Sequence, residues 1–323
     1  MNNDPSSLQN FAKGLFQLSF QAMGTACQIS FSADNSKQAE EFKKESLSWV
    51  RNFEKRYSRY LPDSLISKIN QSAGTQNPVS IKPSDLKLFK LCDTLHFFTV
   101  GLFDPTTLPL SNIWNFKTEK PQIPDAQKIE FALSKIGWKK VILEDSQVYL
   151  PEKGMGLDFG GFGKEFAVDQ VVEIATKSKI ENLLVNFGGD VRTLGSPPDR
   201  DHWIIGVENP KEPGNARFNI LSNNLAVATS GNYLRFFEHN GHRYSHLLDH
   251  RTGYPSSSKN LSSTVIANSC LEAGILSTCS LLENQQEGLS MIDRYYTAEG
   301  CVWSETGIAW TKKFDTYLQY NKN

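Results

Sequence analysis

A chain of 323 residues can hold one large domain or two ordinary ones, and 39% hydrophobic residues supply a substantial core. With 34 basic and 35 acidic residues the formal net charge is -1, which argues against a nucleic-acid partner. No apolar run approaches the roughly 20 residues of a membrane span, so no span is expected.

Residues 1–16 read as a flexible N-terminal extension before a single domain over 17–323. Over 17–32, loose alternation about Met23-Gly24-Thr25 reads as a strand. Residues 37–57 place Phe42, Leu47, Val50 and Phe53 on one helical face. Their basic neighbours Lys43, Lys44, Arg51, Lys55, Arg56 and Arg59 are interleaved with Glu40, Glu41, Glu45 and Glu54, which is the pattern of a solvated helix face. A second helix over 64–70 is capped by Asp63 or Ser64, and a third over 82–98 opens on Pro83-Ser84-Asp85. The proline-rich stretch 101–114 is irregular, and such loops often carry function. A helix over 125–136 and a strand pair over 140–150 follow.

The second half repeats a logic of strand, glycine turn and helix. A strand over 155–159 leads into Gly160-Gly161 and a helix over 164–176; a strand over 182–187 ends in Gly188-Gly189-Asp190. Strands are expected over 203–207, 225–229 and 261–267, a helix over 270–282, and a hairpin over 300–317 with Gly307 to Trp310 near its tip. Strands outnumber helices and rarely alternate with them. The fold class is therefore α+β, with mixed or antiparallel sheets and packed helices, rather than a doubly wound parallel sheet.

Three glycine- and aspartate-bearing turns, over 154–169, 186–190 and 245–253, suggest main-chain N–H groups brought close to a polyanion. Two common nucleotide fingerprints fail. A phosphate-binding loop ending in Gly163-Lys164 needs glycine at 158 and a hydroxyl at 165, where Asp158 and Glu165 stand. The dinucleotide pattern fails at Phe159 and again at Phe166.

The five cysteines, Cys27, Cys92, Cys270, Cys279 and Cys301, are scattered and read as buried small hydrophobes in a reducing compartment. Nothing near the N-terminus resembles a signal peptide or lipobox, which points to the cytoplasm, or to the periplasm if the N-terminus has been trimmed. His242, His246 and His250 are spaced by four, but Asn240-Gly241 reads as a hairpin turn, so one useful histidine, His246, is a better reading than a zinc site. It competes with a plain surface histidine. Asp169 reads as structural, and Asp104 sits in an irregular loop with backbone donors at hand.

These residues, in order, resemble the ApbE family of FAD:protein FMN transferases. The likeness runs through Met23-Gly24-Thr25, Tyr60, Gly101-Leu102-Phe103-Asp104, Asp158 to Lys164, Asn186 to Asp190, Thr229 to Tyr233, Ser245-His246, Asp249 to Gly253 and Ser277-Thr278. The resemblance implies a T-fold-like domain that binds FAD and, with Mg²⁺, moves FMN onto a Ser or Thr hydroxyl of an acceptor flavoprotein as AMP leaves. It implies FAD contacts at Met23, Tyr60, Leu102, Phe103, Asp104, Asp158, Lys164 and Leu248, and proton transfer or phosphate contact at His246. It implies metal contacts at the Gly161 carbonyl, Ser277 and Thr278. Two positions depart from the family. Gly274 stands where an aspartate usually holds the metal, and Glu165 where a glycine usually follows the lysine. Glu272 cannot replace that aspartate, because two residues along a helix is about 200° around its axis. The alternative is a paralogue that binds FAD with impaired or no catalysis; restoring the carboxylate with Gly274→Asp is then expected to raise FAD cleavage.

Overall fold

Nine strands form the largest sheet, and their order across it is their order along the chain. They are β1 (Ser7–Ala12), β2 (Leu15–Ala22), β3 (Thr25–Ser32), β4 (Leu183–Phe187), β5 (Asp190–Leu194), β6 (Ala226–Gly231), β7 (Asn260–Ala267), β8 (Glu299–Ser304) and β9 (Gly307–Trp310). Every neighbouring pair is antiparallel. The computed structural model describes residues 6–12, 14–116, 118, 121–212, 214–233 and 235–319. The helices among them are α1 (Ser36–Tyr57), α2 (Leu65–Gln71), α3 (Pro83–Phe98), α4 (Leu108–Trp114), α5 (Ala126–Ser134), α6 (Gly163–Lys177), α7 (Cys270–Leu282) and α8 (Gln285–Asp293).

The chain divides into two compact units. The first comprises 1–54, 162–231 and 259–323, and the second 55–161 and 232–258. The sheet belongs to the first. Period-two alternation puts Phe16, Leu18, Phe20, Ile29, Phe31, Val185, Ala228 and Val265 on one face, against Phe42 and Val50 of α1, Val168 and Val171 of α6 and Leu276 of α7. The other face offers Val191, Val227 and Ile266 to Ile205, Val207 and Ile220 of the hairpin Trp203–Glu208 and Ala216–Ser222, and to Phe314. Helices thus cover one face and a hairpin part of the other, an α+β arrangement.

The second unit carries α2 to α5, the end of α1 and short strands. Val79–Ser80, Gln147–Tyr149 and Ile142–Leu143 form a three-stranded sheet. Phe236–His239 pairs with His242–Ser245 about Asn240 and Gly241, whose φ values of 50° and 74° are those of a type I′ turn. Trp114, Ile129, Leu110 and Ala132 form one of its buried clusters, with Phe237, Tyr244 and Leu248 packed against them.

Several expectations are corrected. Residues 7–12, read as part of the extension, are β1, hydrogen-bonded to β2; residues 1–5 and 13 lie outside the described residues. The single strand read over 17–32 is two, β2 and β3, reversed at Met23-Gly24 with φ of 52° and 72°. Residues 155–159 are not a strand. The Asn70 side chain serves Leu157 there instead, accepting from its N–H at 2.7 Å and donating to its carbonyl at 2.9 Å. Gly307–Trp310 is a returning strand rather than a tip, and a 3₁₀ turn, Phe314–Tyr317, follows it.

Candidate active site

In the first unit the site is built where α6 and α7 pack together. Helix α6 starts at Gly163 with no side chain capping it, so Lys164 sits in a first turn whose N–H groups favour an anion. Lys164 Nζ pairs with Asp190 Oδ2 and lies 3.5 Å from Glu165 Oε1. Burial opposes the charge on Lys164, but Glu165 and Asp190 outweigh it and raise its pKa above the ordinary lysine value. Burial pushes the Glu165 carboxyl up to about 7, against the pull of Lys164.

Asp190 begins β5 opposite Phe187, so Gly188 and Gly189, with φ of 65° and 98°, are the two central residues of a tight hairpin. Their conformation therefore serves the turn itself, and they are not needed as a phosphate cradle. Across the helices, Ser230 at the end of β6 joins its hydroxyl to Ser277 Oγ at 2.9 Å and Thr278 Oγ1 at 2.8 Å. Gly274 has no left-handed φ to explain it. A Cβ at Gly274 would lie 2.5 Å from Glu165 Cγ and 3.1 Å from Glu165 Oε1. Glu272 turns away, accepting from Thr297 Oγ1 at 3.0 Å. Met23, in the turn between β2 and β3, donates its N–H to Glu54 Oε1 at 2.8 Å.

The second unit holds the other positions. Val100 and Gly101, both left-handed, end α3 and turn the chain through half-buried Leu102 and buried Phe103. Phe103 donates its N–H to Thr99 Oγ1 at 2.9 Å. The Asp104 carboxylate is fully engaged within the fold: Oδ1 accepts from Thr106 N at 2.8 Å and Thr106 Oγ1 at 2.5 Å, and Oδ2 accepts from Trp138 N at 2.9 Å. The loop donors the sequence left at hand are those of Thr106, with Trp138 supplying the third.

Asp158 is engaged too: Oδ2 is ion-paired with Arg59 at 2.6 Å, and Oδ1 accepts from Gly160 N at 2.8 Å. Arg59 also lies 4.3 Å from the centre of the Tyr60 ring, which is 61% exposed. Gly161 borders open space. Leu248 is half-buried in a two-residue strand paired with Tyr254–Pro255. His246 follows the histidine hairpin. Its Nδ1 lies 3.2 Å from the Arg235 carbonyl, which can only accept, so Nδ1 carries the proton and Nε2 the lone pair. Burial lowers the His246 pKa below histidine's usual value, which keeps the ring neutral and basic near pH 7.

Sequence reading alone passed over Asp190, Ser230 and Arg59 as site groups. The signal was present in the stretches 186–190 and 229–233, but a turn carboxylate and a strand serine name no partner until the fold supplies one.

A metal would need hard oxygen donors. Among the described residues no three His, Cys, Asp or Glu side chains gather as a metal group. Magnesium does not require three, and hydroxyl and carbonyl oxygens serve it well. Among the described residues, Glu165 Oε2 is buried without a hydrogen-bond partner, and the hydroxyls of Ser230, Ser277 and Thr278 hydrogen-bond only among themselves and to the Gly274 carbonyl. These residues fit such an ion. Among the described residues no helix is long and apolar enough to cross a membrane.

Comparison with known proteins bears on this geometry. The family model described as "ApbE family" matches residues 23–302. The FAD:protein FMN transferase of Haemophilus influenzae is 28% identical over 292 residues, 87% of this chain and 84% of that protein. One from Klebsiella pneumoniae is 32% identical over 219 residues, 67% of each. Among solved structures, the ApbE protein of Thermotoga maritima superposes with a TM-score of 0.85 at 29% identity, covering 95% of this chain and all of that one. The flavin transferase ApbE of Vibrio cholerae gives 0.82 at 25%, covering 97% and all of that chain. With a family match that spans most of its length and a fold shared with solved members, this chain belongs to the ApbE family.

Proposed function

We propose that the protein is an FAD:protein FMN transferase, joining FMN to a Ser or Thr hydroxyl of an acceptor protein. The observation that carries this reading is the family match over 23–302. In the reaction the acceptor oxygen attacks the FMN-side phosphorus, the bond to the bridging oxygen breaks, and AMP leaves. His246 Nε2 takes the hydroxyl proton, its lone pair set by the Nδ1 contact with Arg235. Lys164, at the start of α6, binds the pyrophosphate with the N–H groups of that first turn. Asp190 holds the ammonium in place.

Met23, Tyr60, Leu102, Phe103, Asp104, Asp158 and Leu248 contact FAD in this reading. Because the Asp104 carboxylate is occupied by Thr106 and Trp138, its part is to shape the loop backbone. In this reading the Gly161 carbonyl, Ser277 and Thr278 would hold Mg²⁺. A bound Mg²⁺ would neutralise charge on the phosphate oxygens. The five buried thiols support a cytoplasmic, reducing location, testable by cell fractionation.

Incubation with FAD, Mg²⁺ and an acceptor peptide tests the reading. AMP release with a flavin-linked peptide supports it. The second reading, FAD binding with impaired or no cleavage, is favoured by Gly274, and tight FAD binding with no AMP would establish it.

A further inference from the structure

Glycine in the middle of α7 is less favourable than alanine and here needs a reason. Gly274 has no left-handed φ, so the reason is space. The space it vacates is taken by Glu165, whose Cγ lies 2.5 Å from where a Cβ would stand. Glu165 is 6% exposed, and its Oε2 has no hydrogen-bond partner, although Oε1 lies 3.5 Å from Lys164. A buried carboxylate oxygen left bare is costly unless something positive meets it. Thr278 lies four residues from Gly274 on the same face of α7, and Ser277 and Ser230 are linked to it. The hydroxyl oxygens retain lone pairs beyond the bonds they share.

We propose that Glu165 is the carboxylate of a divalent-cation site in the first unit, completed by the Ser277 and Thr278 hydroxyls, with α6 supplying the acid that α7 lacks at Gly274. The cation's identity as Mg²⁺ rests on the flavin-transferase reading; the site itself does not. The swap also reverses the expectation for Gly274→Asp. A second carboxylate there meets Glu165 Cγ, so the single change destabilises the protein rather than repairing it.

The test is Mn²⁺ binding to the whole protein, by electron paramagnetic resonance with and without FAD and with Mg²⁺ as competitor, no acceptor being present. Glu165→Gln, its fold checked by near-ultraviolet circular dichroism, is expected to weaken Mn²⁺ binding by about tenfold or more. The exchange Glu165→Gly with Gly274→Asp is expected to restore both affinity and melting temperature. Unchanged Mn²⁺ affinity in Glu165→Gln overturns the proposal, as does a wild-type protein that binds no Mn²⁺ at millimolar concentration under either condition. If Glu165→Gln does not fold, the exchange decides: Mn²⁺ binding supports the site and its loss refutes it. If the Mn²⁺ pattern holds but the wild type releases no AMP from FAD with acceptor, only the transferase reading falls.

Discussion

At the scale of single residues, His246 is the sharpest case. With Nδ1 committed to Arg235 and the ring kept neutral by burial, His246→Gln is expected to lower the transfer rate by about 10²–10⁴-fold while FAD binding survives. Single-turnover AMP release alongside FAD titration separates the two effects. The wild-type rate should hold above the His246 pKa and fall as pH drops through it. That acid limb is expected below about 6.5, histidine's ordinary value, since burial disfavours the imidazolium. The sequence pointed to this residue through the histidine spacing about Asn240-Gly241 and then through the ordered resemblance. It did not give the tautomer, because that depends on a carbonyl 11 positions away, across the hairpin. Glu165 shows the same limit from the other side. It read only as a departure from the glycine that usually follows the lysine, and only the packing of α6 on α7 connects it to Gly274.

At the scale of elements, most helices were readable where local chemistry starts them, but α8 was not read, although Asn284 caps it by accepting from the Glu287 N–H. Ser64 caps α2, Asp125 caps α5 and Ser269 caps α7, each accepting from an N–H three residues on. The short α4 escaped, since Pro105 and Pro109 made its stretch read as loop, and β1 escaped because only one of its six residues is even half-buried. Asp169 read as structural, and the structure explains why. It accepts from the N–H groups of Cys270 and Leu271 at 2.8 and 2.9 Å and from Arg192 at 2.7 Å, tying α6 to the start of α7 and to β5. Asp169→Ala is expected to cost about 2–4 kcal/mol in urea unfolding.

In the second unit, Asp85 accepts from Arg56 Nε at 2.5 Å, Tyr57 Oη at 2.6 Å and Lys82 N at 2.7 Å, joining the end of α1 to the start of α3. Burial works against this carboxylate, but those donors prevail and hold its pKa below the ordinary aspartate value. Its contribution to stability is therefore complete above about pH 3.9, the unfolded value, and is lost as pH falls through the folded pKa. Asp85→Asn should cost about 2 kcal/mol at neutral pH and flatten part of the acid limb of melting temperature against pH.

At the scale of the whole molecule, FAD at a hundredfold excess over its Kd should stabilise the protein by about 2.7 kcal/mol, read as a rise in melting temperature. No rise would remove the FAD readings altogether. The α+β class followed from counting strands, whereas the strand order did not: alternation tells which face a residue takes and is silent about neighbours. That order has a consequence for synthesis. The sheet breaks off after β3, resumes at residue 183, breaks again after β6 and resumes at 260. A growing chain therefore finishes every segment of the second unit, through residue 258, while three of the nine strands are still unmade. Until β7 emerges from the ribosome, the β6 edge that it will cover stands open, a place for nascent chains to aggregate or a chaperone to bind.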